Sequence, residues 1–330
     1  MSRMLPLVQN EVLKIIRKKR FYVVLLILIA LIPMFTYAQM RQAQQFQKQA
    51  GTSDWRAELT QRIADYERTL GSSRVPEEWK KWRKIQIQKD EYHLENNVNP
   101  NEVSGLVFTQ RFMENAIGLF IPLMVMVIAS DLVSGEHTAG TIKLLLTRPV
   151  RRWRILTSKL IALILFTSLI VLATAVFSYL ISGLVFGYGG WDLPIFSGFR
   201  INGSTVDFTH VHVLPLWQYL LMEMGLVWFA ALVVGILSLM VSVLVRSTAA
   251  GMGVMLAVLI AGSILANMAS SWTSAKYFFM VNLQLTDYLS GSVPPIEGMT
   301  LPFSLTVLAL TAAAALVVSY VTFTKKDVLN

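Results

Sequence analysis

Phe21–Ala38 reads FYVVLLILIALIPMFTYA, 18 residues without a charge. A bilayer core about 30 Å thick takes roughly 20 apolar residues of helix, so this run is long enough to span. It also exceeds the apolar core of a cleavable signal, about 7–15 residues, and no A-x-A site follows it, so a retained signal anchor is expected. Working outward, comparable runs follow at Phe112–Ala129 with Pro122 inside it, Leu160–Phe186, Leu216–Val245, Thr248–Ser271 and Leu301–Phe323. Spans are therefore expected at 21–38, 111–130, 160–187, 216–245, 248–271 and 302–324. The fourth run, 30 residues long, is more than a vertical helix needs; it must tilt, break, or begin along the interface.

The composition agrees. Of 330 residues, 54% are apolar and only 15% are charged, against roughly 45–50% and about 25% in soluble domains. The mean hydropathy is +0.54. The absence of cysteine excludes a disulfide framework, a thiol nucleophile and thiolate metal sites. The fold class expected is an all-α polytopic membrane protein with six transmembrane helices.

A net charge of +9 has two explanations, a polyanion partner or membrane orientation, and the distribution decides between them. The segments before the first span, between spans two and three, after span four and at the C-terminus hold 15 basic and 4 acidic residues. The rest holds 14 basic and 16 acidic. By the positive-inside rule both termini are cytoplasmic in a multi-pass protein of the cell membrane. No nucleic-acid partner is expected, because the basic residues cluster at membrane ends.

Between the spans, residues 1–20 place Leu5, Val8, Val12, Ile15 and Ile16 at helical spacing. This predicts an amphipathic helix at the cytoplasmic interface, with membrane lipid as its partner. Residues 39–110 predict an extracytoplasmic helical hairpin, one stripe being Trp55, Leu59, Ile63, Tyr66 and Leu70, the other Trp79, Trp82, Ile85 and Tyr92. Residues 131–159 form a cytoplasmic segment, with a short helix expected from Thr138 to Thr147, stopped before Pro149. Residues 188–215 and 272–301 are outer loops rich in aromatics, either of them long enough for a re-entrant helix, and 325–330 form a cytoplasmic tail.

Chemistry is sparse. Gly135 and Gly140 have the outer spacing of a phosphate loop, but Thr141 and Ile142 follow where Lys and Ser or Thr are needed. No metal-ligand cluster is evident; His210 and His212 would need further ligands. Two carboxylates fall near apolar runs, Glu223 seven residues into the fourth and Glu114 at the start of the second. Each is either a functional group at membrane depth, on a substrate pathway, or a residue facing headgroups.

The stretch Gly135-Glu136, Gly140-Thr141-Ile142, Leu144-Leu145-Leu146, Pro149, Arg152, Ile155-Leu156 and Lys159-Leu160 resembles the signature of ABC-2-type transporter permeases. Arg246-Ser247 and Phe323-Thr-Lys-Lys-Asp327 are also similar to that family, and the resemblance extends to the layout of the whole chain. The outer hairpin is longer than in many smaller members. The resemblance implies the transmembrane subunit of a bacterial ABC exporter and not an enzyme. Two permease chains, alike or different, would pair, each with a separate ABC ATPase subunit that binds the ATP and magnesium, leaving this chain without a cofactor. It further implies that Glu136, Thr141, Leu144, Leu145 and Pro149 couple to the ATPase, with Arg148 and Arg152 meeting its acidic residues or lipid. The cargo class is a peptide, antibiotic, lipid or similar. The competing reading of the same architecture is a membrane sensor or immunity protein that binds an antimicrobial peptide or envelope ligand through the outer hairpin.

Overall fold

The computed structural model describes residues 4–50, 54–71, 75–142, 150–268 and 272–325. Its helices are α1 (Met4–Arg17), α2 (Arg20–Ala50), α3 (Trp55–Leu70), α4 (Glu77–Glu95), α5 (Gly105–Ala116), α6 (Phe120–Ala129), α7 (Ser134–Thr138), α8 (Arg152–Phe186), α9 (Leu216–Leu244), α10 (Thr248–Met268), α11 (Asp287–Ser290) and α12 (Leu301–Lys325). Among the described residues, α2, α8, α9, α10 and α12 are long and apolar enough to cross a membrane. The α5–α6 pair makes a sixth if it counts as one span bent by 63°.

The centre of the bundle is α9, whose apolar window is 72% buried. It is one unbroken helix of 29 residues, so its excess length is taken up without a break. Ala230, Ala231, Gly235, Ser238 and Ser242 line buried positions along it, and small side chains let the neighbouring helices α6, α8 and α12 approach closely. Ser238 returns its hydroxyl to the Val234 carbonyl at 2.8 Å, so a polar side chain is buried with its partner supplied.

Several boundaries differ from those expected. Helix α2 runs past the apolar stretch through Gln, Arg, Lys and Ala residues, all good helix formers, so residues 39–50 extend the helix and do not start the hairpin. Helix α8 begins at Arg152, eight residues before the apolar run, and so takes Lys159 into a regular helix. The second span is not straight: it breaks at Ile117-Gly118-Leu119. Pro122 explains the place, since a helical proline lacks an N–H and its ring collides with the carbonyl four residues back, that of Gly118. In α6 the same proline sits in the first turn, where it is tolerated.

The hairpin of α3 and α4 forms, with Asp54 capping α3 and Tyr66 edge-on to Trp82 at 5.8 Å. Its second stripe is not as expected: Trp79 and Trp82 are exposed, while Ile85, Ile87, Lys89 and Asp90 are buried. The reason is a third layer. Residues 188–215, expected as a loop, fold into β1 (Pro194–Ser197), β2 (Arg200–Asn202), β3 (Thr205–Asp207) and β4 (His212–Pro215). Antiparallel pairs β1–β4 and β2–β3 form two small sheets, so the chain is predominantly but not wholly α. Phe196, Phe199 and Phe208 of this layer gather around Tyr92 of α4, with Tyr92 and Phe208 stacked at 4.5 Å. Residues 272–301 contain short 3-10 turns, Thr273–Tyr277 and Phe279–Asn282, and the four-residue α11.

Candidate functional site

At the end of the bundle that carries α1, a network of charges is built on buried Glu11, Asp131, Glu136 and Lys159, with the more exposed Lys14, Lys18 and Arg20 at its edge. Lys159 Nζ lies 2.7 Å from Glu11 Oε2 and 3.7 Å from Glu136 Oε1. Lys14 Nζ lies 2.6 Å from Glu136 Oε1 and 3.2 Å from Glu11 Oε1. Each carboxylate is thus shared by two ammonium groups, one from α1 and one from α8. A second limb centres on Asp131, held by Lys18 at 2.8 Å and Arg20 at 3.1 Å, with Thr248 donating to it at 3.2 Å.

Local structure sets these positions. Glu11 is one turn before Ile15, and both are buried, whereas Leu5, assigned to the apolar stripe, is 66% exposed. The face of α1 that meets the bundle is therefore turned toward Glu11. Lys19, at φ 60°, turns the chain into α2. On α8, Lys159 shares one buried face with Ile155, Leu156, Ala162 and Leu163; a lysine there requires a carboxylate. Ser242 of α9 fixes the elbow between α6 and α7, receiving the N–H groups of Val133 and Ser134 at 3.1 and 2.9 Å and donating to the Ser130 carbonyl at 2.8 Å.

Glu136 is accordingly an internal residue, 5% exposed, and Thr141 folds back so that its hydroxyl donates to the Glu136 carboxylate. Burial opposes the charge of Glu136, but the Lys159 ammonium and the hydrogen bonds from Lys14 and Thr141 outweigh it and hold the carboxyl at about 2. The helix expected from Thr138 does not start there: Thr138 ends α7, and Gly140 at φ 70° turns the chain, a conformation that suits glycine. Leu144, Leu145, Arg148 and Pro149 lie outside the described residues. Arg152, at the start of α8, donates to the Thr324 carbonyl near the end of α12 at 3.2 Å.

A second constellation lies at the hairpin end. Gln110 of α5 donates from one amide nitrogen to Glu223 Oε1 at 2.8 Å and to Glu114 Oε2 at 3.2 Å. The two carboxylates picked out from the sequence are therefore brought together, by a residue that sequence reasoning missed. Glu223 is fully buried and, among the described residues, its Oε2 has no hydrogen-bond partner, so it faces the protein interior. Its Oε1 accepts from Gln110, whereas His210 and His212 are exposed on the β layer. Gln110, Glu114 and Tyr219 border a cavity of about 260 Å³, roofed by α4 and by Phe196 and Phe199. Inside it, Arg62 and Asp90 form a two-pronged pair at 2.7 Å. Burial lowers Lys89 to about 8 against the raising effect of Glu114, Asp90 and Asp287. Burial also raises Asp287 to about 6, helped by the charge of Glu114 and opposed by Lys89.

The chain matches the family described as "Protein of unknown function (DUF2705)" over residues 86–329. It is 29% identical over 328 residues to the uncharacterized protein YhcI of Bacillus subtilis (strain 168), covering 99% of this chain and all of that one. It is also 30% identical over 215 residues to the uncharacterized membrane protein YdbK of the same strain, covering 64% of this chain and 80% of that one.

Proposed function

We propose that this chain, a multi-pass membrane protein that belongs to the DUF2705 family, is the permease subunit of an ABC-2-type exporter. The observation that carries this reading is the Glu11–Lys14–Glu136–Lys159 network. The segment with the ABC-2-like signature is tied by ion pairs to α1 and to the base of α8. A push on residues 131–159 would thus be transmitted to a spanning helix and not absorbed by a slack loop. In this reading Glu136 is the internal anchor of the coupling segment, while Thr141, Leu144, Leu145, Arg148 and Pro149 face the ATPase and Arg152 ties the base of α8 to α12. The absence of a phosphate-loop sequence agrees with ATP and magnesium residing on a separate ATPase subunit. In this reading the basic clusters and both termini face the cytoplasm, as the positive-inside rule favours, and a second permease chain completes the transporter.

The test is co-purification from the native membrane with the tagged chain, followed by reconstitution. An ATPase subunit should copurify, and Glu136→Gln should lower ATP-driven transport while leaving the helical content unchanged. Transport by the pure chain alone, or no ATPase in the pull-down, overturns the reading. The cavity beneath the hairpin favours a second reading, a membrane sensor or immunity protein that captures its ligand there. Removal of residues 41–102 separates the two: a sensor loses its response, an exporter keeps ATPase coupling.

A further inference from the structure

We propose that the cavity between α4, α5 and the β layer is a binding site for a small zwitterion, one ammonium and one acidic group on a compact body. Three of its charged side chains, Lys89, Arg111 and Glu114, line the space. Among the described residues none of the three has an opposite charge within ion-pair distance, whereas Arg62 and Asp90 satisfy each other. Neutral groups hold them instead. Lys89 donates to the Ser290 carbonyl at 2.7 Å and lies 4.8 Å from the centre of the Phe199 ring; Arg111 donates to the Pro100 carbonyl at 2.9 Å; Glu114 accepts from Gln110.

Charges that are fixed but not neutralised inside a protein are costly, and a ligand that neutralises them recovers that cost. The signs select the ligand. Glu114 is within electrostatic reach of both Lys89 and Arg111, so a simple anion meets Glu114 and a simple cation meets the other two. A molecule carrying both signs satisfies all three. Phe196, Phe199 and Tyr219 offer apolar walls for its body. About 260 Å³ is below the range of drug-sized pockets, roughly 300–1,000 Å³, which suits one amino acid or one lipid headgroup. Trp191 and Trp217, both exposed near this level, mark an interfacial belt where either source is within reach.

Titration calorimetry of the full chain in phospholipid-free detergent micelles tests this without any ATPase, so its failure leaves the permease reading intact, and the reverse holds too. The probes are glycerophosphoethanolamine and phenylalanine as zwitterions, with ethanolamine and inorganic phosphate as single-charge controls. At least one zwitterion should bind roughly tenfold more tightly than either control, and Glu114→Gln and Arg111→Gln should each weaken it roughly tenfold. Preference for the first zwitterion assigns a phospholipid headgroup, and for the second a free amino acid. The proposal is overturned if neither zwitterion gives saturable heat, if a single-charge probe binds as well, or if the variants bind as wild type does. Should either variant fail to give a cooperative melt, Lys89→Gln supplies the same comparison.

Discussion

The Lys159 ammonium meets the Glu11 carboxylate at 2.7 Å with side chains only 1% and 4% exposed. An ion pair this deep contributes little against an apolar substitute, yet breaking one half strands the other. Lys159→Met should destabilise by roughly 3 kcal/mol, because among the described residues only Lys14 is then left paired with Glu11. The double variant Lys159→Met with Glu11→Leu should recover most of that. Reversible unfolding in mixed micelles, followed by tryptophan fluorescence, checks both; a wild-type midpoint for the single variant would remove the pair from any structural role.

Acid should loosen the same network. Glu136 is held at about 2, below its ordinary 4.5, so its contribution is complete above about 4.5 and is lost as pH falls toward about 2. At about 1.4 kcal/mol per unit, the loss is roughly 3 kcal/mol. The midpoint of unfolding should fall across that window in wild type, and the profile of Glu136→Gln should be flatter there.

Gln110 donates a hydrogen bond to Glu223, whose other oxygen has no partner among the described residues. Gln110→Leu should therefore cost roughly 1–3 kcal/mol, the penalty of a stranded buried polar group. Adding Glu223→Leu should make the change smaller, not larger. A double-mutant cycle with purely additive effects would show that the two residues do not interact.

Helices α5 and α8 cross where Gly105 meets Gly183: a Cβ on Gly105 would stand 2.9 Å from the Gly183 Cα. Backbone cannot move aside as a side chain can, so Gly105→Ala should destabilise by roughly 1–3 kcal/mol. Gly253 of α10 has open space around its Cβ position, and Gly253→Ala should lie within about 0.5 kcal/mol of wild type. Thermal melts of the two variants side by side make the comparison.

What could be read from the chain followed from how far apolar runs extend. Leu160–Phe186, Leu216–Val245 and Leu301–Phe323 became helices close to where hydropathy placed them, since a run of that length has few other ways to satisfy its backbone in lipid. Helix ends that lie in polar sequence were not visible, as at α2 and α8, because Gln, Lys and Arg extend a helix as readily as they cap it. The break in the second span had a signal, Gly118 four residues before Pro122, that a hydropathy window averages away. The β layer had none, because its strands are three or four residues long and owe their shape to Tyr92 on a distant helix. Of the site, Glu114 and Glu223 are legible without Gln110, and Glu136 is legible with Thr141 and Lys159 but without Lys14. Glu11 escapes notice because a carboxylate in an amphipathic helix reads as a surface residue, and Gln110 carries no charge to draw attention.

The bend in the second span bears on how the chain enters a bilayer. Helix α6 has 10 residues, about 15 Å of rise, half of what a hydrocarbon core requires. Alone, it could not hold itself across, and its polar neighbour α5, with Gln110, Arg111 and Glu114, would draw it back toward water. In the folded protein Ile121, Met124, Val125 and Ile128 are buried against α8 and α9, which are synthesised later. The place of α6 in the bundle is thus set chiefly by packing against α8 and α9, helices that follow it in the chain, and less by its own apolar length.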